Sequence, residues 1–186
     1  MYKSSLFRLA GLSAYLTAAA TIVGFVALIT FFIVGEPYGT INDISSIVIA
    51  LSALPVLISL FSLHRPAGPA ASLMAVIIGV IASLVIVIVQ TILVTTRKSY
   101  GDTVSFSFSV FGISLLIFGY LALTDKTLPR GLAWLGIVAG IGYILVTSGF
   151  ILGGENHPLT YVGGLASILT YPVWAIWLGR IFIKPG

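Results

Sequence analysis

Five acidic or imidazole side chains in the sequence could hold a divalent cation. Glu36, Asp43, Asp102, Glu155 and His157 lie in or beside short polar segments that separate long apolar stretches. Carboxylate oxygens and imidazole nitrogens are common ligands of divalent metals. Glu155 and His157 are therefore the candidates for a metal site. Their spacing matches no metal-binding signature, however, and we expect the protein to use neither a metal nor a cofactor.

A second group of polar residues lies inside the apolar stretches. Gln90 is the deepest strongly polar side chain, and it could contact a ligand. In membrane helices, however, such a residue more often bonds to a neighbouring helix. Tyr143 and Thr147, one helical turn apart, could line a cavity or could satisfy their hydroxyls within the bundle. Gln90, Tyr143 and Thr147 are thus the candidates for ligand binding.

Catalysis requires a nucleophile or an acid–base pair with suitable partners. The two histidines are predicted to lie on opposite sides of the membrane, and His64, beside Arg65, is interpreted as a solvated interface residue. The sequence contains no Cys and no GxSxG, HExxH or paired-carboxylate motif. We therefore predict that the protein is not an enzyme and has no catalytic residues. An enzyme built on the outer acidic loops and His157 is the least favoured hypothesis.

The composition predicts the kind of structure that holds these polar residues in place. Of the 186 residues, 59% are hydrophobic and 8% are charged, whereas a soluble domain carries about 25% charged residues. About 20 apolar residues are needed to cross a bilayer, and six segments are long enough. They are residues 9–34, 44–63, 69–96, 104–123, 131–152 and 159–183. We predict an all-α, polytopic six-helix membrane bundle that forms one domain over residues 1–186.

The distribution of basic residues predicts the orientation of the bundle. Seven of the nine Lys and Arg residues fall on the side of the two termini. They are Lys3, Arg8, Arg65, Lys126, Arg130, Arg180 and Lys184. Short cytoplasmic loops are enriched in such residues, so both termini are predicted to be cytoplasmic. The basic residues thus account for membrane topology, and we expect no nucleic-acid partner.

Small residues indicate how the helices meet. They recur at helical spacing in most of the segments, and Gly136 and Gly140 form a GxxxG pair. Without a hydrophobic driving force between helices, small residues allow the close approach that holds a membrane bundle together. Pro55 and Pro172 fall inside two of the segments and each removes a backbone hydrogen bond. Whether these prolines act as hinges or give a static shape is left open.

Three motifs are R-L-A-G-L-S-A-Y-L at residues 8–16, L-P-R-G-L-A-W-L-G at 128–136 and Y-P-V-W-A-I-W-L-G-R at 171–180. They resemble the opening, the start of the fifth helix and the closing helix of an uncharacterised family of prokaryotic multi-pass membrane proteins, described as domain of unknown function 4386. The resemblance implies a six-helix protein of a bacterial or archaeal cell membrane. It implies no established activity.

Two functions are compatible with these features. The first is a non-enzymatic accessory or scaffold subunit, or a small sensor, that works through helix contacts. Its partners would be the lipid bilayer and other membrane proteins of a larger assembly. The alternative is a carrier or binder of a neutral or lipid-like small molecule, suggested by the intrahelical prolines and the hydroxyl-rich interior.

Overall fold

The computed structural model describes residues 5–98, 100–154 and 156–183. Nearly all of these residues are helical, and the part described contains no β-strand. The six helices are α1 (Ser5–Val34), α2 (Tyr38–His64), α3 (Pro69–Thr96), α4 (Gly101–Asp125), α5 (Arg130–Gly153) and α6 (Pro158–Ile183). The predicted all-α six-helix bundle is confirmed.

The helices have the length and composition of membrane spans. The shortest has 24 residues and the longest has 30, so each exceeds the roughly 20 residues that cross the hydrocarbon core. All six are also apolar enough to cross a membrane. The chain is therefore a multi-pass membrane protein, and the large apolar side chains on the outside of the bundle face lipid. Examples are Phe32, Ile33, Ile88 and Ile151.

Helix α2 begins at Tyr38, six residues before the predicted start at 44. The apolar run begins only at Ile44, but the preceding polar residues are already helical. The Glu36 carboxylate accepts hydrogen bonds from the backbone N–H and the hydroxyl of Thr40, at 3.2 and 3.0 Å. A carboxylate near a helix start satisfies N–H groups that have no partner within the helix. Hydropathy alone misses such a polar first turn.

The six helices form a closed ring. Each helix packs against the next one in the sequence, and α1 also packs against α6. A smaller contact joins α2 to α4 across the ring. The interior is filled by apolar side chains that are almost completely shielded, including those of Leu57, Leu60, Phe118, Leu132 and Leu178. Both α2 and α6 continue unbroken through Pro55 and Pro172.

Glycines allow close approach of the helix backbones at several of these contacts. A Cβ atom at Gly112 in α4 would lie 2.7 Å from the Gly140 carbonyl oxygen in α5, which is closer than real Cβ atoms approach. At Gly163 in α6, a Cβ atom would lie 2.5 Å from the Gly142 carbonyl oxygen. The GxxxG pair serves internal packing, because Gly136 faces Trp174 of α6 and Gly140 faces α4.

A buried hydroxyl links α3 and α4. Ser114 is fully shielded, and its hydroxyl donates a 2.8 Å hydrogen bond to the Ala75 carbonyl. Ser114→Ala is expected to lower the free energy of unfolding by about 0.6 kcal/mol, a typical value for interhelical bonds in membranes. Thermal unfolding in detergent measures the change. Ser62→Ala is the control, because Ser62 is exposed and bonds only to Ile58 of its own helix. Equal shifts in the two variants would contradict the expectation.

Candidate functional site

A histidine and an aspartate meet at one end of the ring. His64 is the last residue of α2 and Asp125 is the last residue of α4. The Nδ1 atom of His64 lies 2.6 Å from Oδ2 of Asp125, and the two side chains are 0% and 6% exposed. Among the described residues this is the only pair of oppositely charged side-chain types within 4 Å. A contact of this length in a shielded place is a strong, charge-assisted hydrogen bond when the imidazole is protonated.

The second carboxylate oxygen of Asp125 is occupied by the turn between α4 and α5. Oδ1 accepts hydrogen bonds from the backbone N–H of Thr127 at 2.9 Å and from its hydroxyl at 2.7 Å. The Thr127 hydroxyl oxygen also lies 3.2 Å from Nδ1 of His64. Asp125 thus connects the end of α2 to its own turn. We call the three residues His64, Asp125 and Thr127 the turn link.

The interpretation of His64 as a solvated interface residue is wrong. Its side chain is fully buried, and the ring centroid of Phe118 in α4 lies 6.0 Å from that of the imidazole. The turn folds over α4 closely enough that a Cβ atom at Gly68 would lie 2.8 Å from Leu121. Sequence reasoning placed His64 in water because Arg65 follows it. Arg65 is exposed, but its neighbour points the other way.

The other imidazole nitrogen limits what the turn link can do. Nε2 of His64 is buried and has no hydrogen-bond partner in the part of the chain that the structure describes. A carboxylate-bound imidazole is the arrangement of many general bases and metal-binding histidines. Those roles require access to the free nitrogen, which is closed to solvent here. In this conformation the turn link fastens the α2–α3 turn to the α4–α5 turn.

Gln90 contacts a neighbouring helix at the opposite end of the ring. It is 4% exposed, and its Nε2 lies 3.5 Å from Oδ1 of Asp43 in α2. Nearby, Nη1 of Arg97 donates a 2.8 Å hydrogen bond to the Thr40 hydroxyl. These polar contacts join the start of α2 to the end of α3. The geometry favours the interhelical interpretation of Gln90 over the ligand interpretation.

Tyr143 belongs to an aromatic cluster between α4, α5 and α6. Its ring centroid lies 5.4 Å from that of Phe108, 6.2 Å from that of Phe111 and 5.7 Å from that of Tyr171. Trp174 extends the cluster by stacking on Tyr171 at 5.8 Å. Such stacked and edge-on pairs stabilise a core. The structure therefore places Tyr143 in the packing of three helices.

Thr147 lies one turn further along α5 and lines a groove. It is 7% exposed, and its hydroxyl donates a 2.6 Å hydrogen bond to the Ser105 carbonyl of α4. The groove has a volume of about 480 Å³ and runs between the start of α4 and the end of α5. Its walls include Asp102, Phe106, Phe150 and Ile151. Because α3 and α5 do not pack on each other within the described residues, Gln90 does not join Tyr143 and Thr147 in one site.

Of the two candidate metal ligands, the structure describes His157 but not Glu155. Glu155 lies outside the described residues. His157 lies in the turn between α5 and α6, where its Nδ1 accepts a 3.3 Å hydrogen bond from the Leu159 backbone N–H. Over residues 5–98, 100–154 and 156–183, no three His, Asp or Glu side chains form a group that could hold a metal ion.

Three of the features described above lie in the second half of the chain: the groove, the aromatic cluster and the aspartate of the turn link. This half also matches a known family. Residues 89–179 match the model of DUF4386, a domain of unknown function. The resemblance predicted from the sequence is thereby confirmed over just under half of the chain. No curated protein and no solved structure gives a significant match.

The DUF4386 match contains Asp125 but not His64. The turn link therefore connects the matched segment to the first half of the chain. Sequence reasoning missed this contact because its partners are 61 residues apart. One signal was present, since Asp125 is the single acidic residue on the side of the membrane predicted to be basic. An isolated acid among basic residues is a candidate for an internal partner.

Proposed function

We propose that the protein is a non-enzymatic component of a prokaryotic cell membrane, with both termini in the cytoplasm. In this role it is an accessory or scaffold subunit, or a small sensor, that works through helix contacts. The observation that carries the proposal is the turn link, which fastens together two turns that display basic residues. This end of the ring is then a pre-arranged surface for a partner.

The basic surface is made of exposed side chains at the end of the ring that holds the turn link. Its described members are Arg8, Arg65, Lys126, Arg130 and Arg180. The only acidic residue at this end in the part described is Asp125, whose carboxylate is occupied by His64 and Thr127. The surface thus keeps its positive charge. It suits an acidic segment of a partner protein, and the positive-inside rule supports its cytoplasmic placement.

The turn link makes this surface effective for binding. Ordering loops and side chains at an interface costs free energy, so a surface fixed in advance binds more tightly. Arg65 and Lys126 directly follow the two residues that form the 2.6 Å contact. Their backbones are therefore held in place by it, while their side chains stay exposed. A change in the link would also change the surface, which supports a sensor role.

The test replaces positively charged side chains of the basic surface with neutral glutamine. Arg65→Gln with Lys126→Gln is expected to reduce the yield of any polypeptide that co-purifies with the protein after gentle extraction, because both side chains would contact the partner. Lys98→Gln is the control, since Lys98 is exposed at the opposite end. Five basic residues remain on the cytoplasmic side, so the orientation is preserved. Equal yields from all three proteins would contradict the docking surface.

The alternative function is a carrier or binder of a neutral or lipid-like small molecule. The groove beside Thr147 favours it, because a concave site with apolar walls and a few polar groups is typical of ligand binding. The two functions differ in what accompanies the purified protein. A small molecule in fixed proportion, without any partner polypeptide, would support the alternative.

A further inference from the structure

The groove between α4 and α5 combines a carboxylate with aromatic and aliphatic walls. Asp102 and Phe106 come from the first two turns of α4, and Phe150 and Ile151 from the last turn of α5. Its volume of about 480 Å³ falls within the usual range for small-molecule sites. Because both helix ends are also the ends of membrane spans, the groove lies where lipid headgroups meet the hydrocarbon region.

The base of the groove is fixed by the 2.6 Å hydrogen bond between Thr147 and Ser105. Its walls are open to the outside, since Phe106 is 60% exposed and Ile151 is 75% exposed. The groove therefore exists without rearrangement of the helices. An entering molecule would slide in from the surrounding bilayer and would displace no internal contact.

The carboxylate at the rim is available to a cation. Asp102 is exposed, and no Lys or Arg of the described chain lies within 4 Å of it. An acidic residue in the first turn of a helix is stabilised by the helix dipole, which explains why Asp102 is tolerated there. Aromatic faces and a carboxylate are the groups that recognise ammonium ions.

We propose that this groove binds a membrane lipid with an ammonium headgroup. The ammonium group pairs with the Asp102 carboxylate and contacts an aromatic ring of Phe106 or Phe150, while an acyl chain lies along Ile151. A lipid with a purely anionic headgroup is disfavoured by the carboxylate. The groove lies at the opposite end of the ring from the basic surface, so the inference does not depend on the proposed docking there.

The test uses the purified full-length protein in micelles of a non-ionic detergent, which carries neither an ammonium nor an anionic group. Lipids are titrated in and counted on the protein by native mass spectrometry. The probes are phosphatidylethanolamine, phosphatidylcholine and phosphatidylglycerol, together with tetramethylammonium as a cation that has no acyl chain. Wild-type protein is expected to bind the first two lipids several-fold more tightly than phosphatidylglycerol. Tetramethylammonium alone is expected to bind poorly, because the groove also takes the acyl chain.

Matched variants locate the site. Asp102→Asn is expected to weaken binding of the ammonium lipids about three- to five-fold, the effect of one exposed charge pair, and to leave phosphatidylglycerol binding no weaker. Phe106→Ala is expected to weaken binding of the same lipids. Glu36→Gln and Phe32→Ala are the controls, because both residues are exposed at the same end of the ring but outside the groove.

Four results would overturn the inference. The first is equal binding of all three lipids by the wild-type protein. The second is an unchanged preference in Asp102→Asn while the variant remains folded. The third is a wild-type protein that proves dimeric while Asp102→Asn is monomeric, which would show that the groove holds a second copy of the chain. Tetramethylammonium that binds as tightly as the lipids would remove the acyl chain from the proposal and overturn the choice of occupant.

Discussion

Gly163→Ala is expected to lower the free energy of unfolding by about 1–3 kcal/mol, the usual cost of forcing an extra methyl group into a packed core. The new Cβ atom would lie 2.5 Å from the Gly142 carbonyl oxygen and 2.6 Å from the Val146 backbone nitrogen. Both atoms belong to the backbone of α5, so no side chain can rotate away. The helices must separate, and the contact between α5 and α6 is lost along several turns.

The neighbouring residue gives a matched control for this prediction. A Cβ atom at Gly164 would have no atom within 4 Å. Gly164→Ala is therefore expected to be neutral, or to stabilise the protein slightly because alanine favours the helix. Thermal unfolding and the fraction of monodisperse protein in detergent compare the two variants. If both alanines have the same effect, the close contact between α5 and α6 is not present in the membrane.

Asp125→Ala is expected to lower the free energy of unfolding by about 1–3 kcal/mol, because a buried imidazole loses the partner of its 2.6 Å contact. His64 is 0% exposed, and its Nε2 is already without a partner among the described residues. After the substitution, Nδ1 of His64 loses its carboxylate as well. The α2–α3 and α4–α5 turns are then expected to separate, and proteases added from that side should cleave them faster.

Two further variants distinguish the loss of the contact between His64 and Asp125 from a general effect of substitution at this turn. Replacing both His64 and Asp125 with leucine is expected to restore part of the stability, since a buried pair can often be exchanged for apolar residues at little cost, whereas the two hydrogen bonds from Thr127 to Asp125 remain lost. Lys126→Ala changes the adjacent exposed residue and is expected to have little effect. Chemical unfolding of the wild-type protein, His64→Leu, Asp125→Leu and the double leucine variant gives the coupling free energy of the two side chains. A coupling free energy near zero would show that the two side chains do not act as a pair.

The helices themselves could be predicted from the sequence because a bilayer imposes strict requirements. A span needs a long apolar run, and the charged residues must lie between spans. The close contact of Gly140 was also indicated, since the small residues of a GxxxG pair mark a helix interface. The start of α2 was placed six residues late because a polar first turn has no hydropathy signal.

The arrangement of the helices could not be predicted in the same way. Closure of the ring between α1 and α6 brings together residues at opposite ends of the chain, such as Gly11 and Gly179. The pairing of His64 with Asp125 depends on how two separate turns fold over each other. The groove depends on the packing of α4 against α5. No local pattern encodes these distances, so the sequence indicated Thr147 as a candidate but not the groove that Thr147 lines.

The most direct test of the proposed function is native mass spectrometry of the protein after gentle extraction from its own membrane. We expect a second polypeptide in fixed proportion to the chain, and we expect Asp125→Ala to reduce that proportion because the basic surface is no longer fixed. A chain that emerges alone, with or without bound lipid, would contradict a role in helix contacts with a partner. A small molecule bound in fixed proportion in the groove beside Thr147 would then support the carrier or binder function.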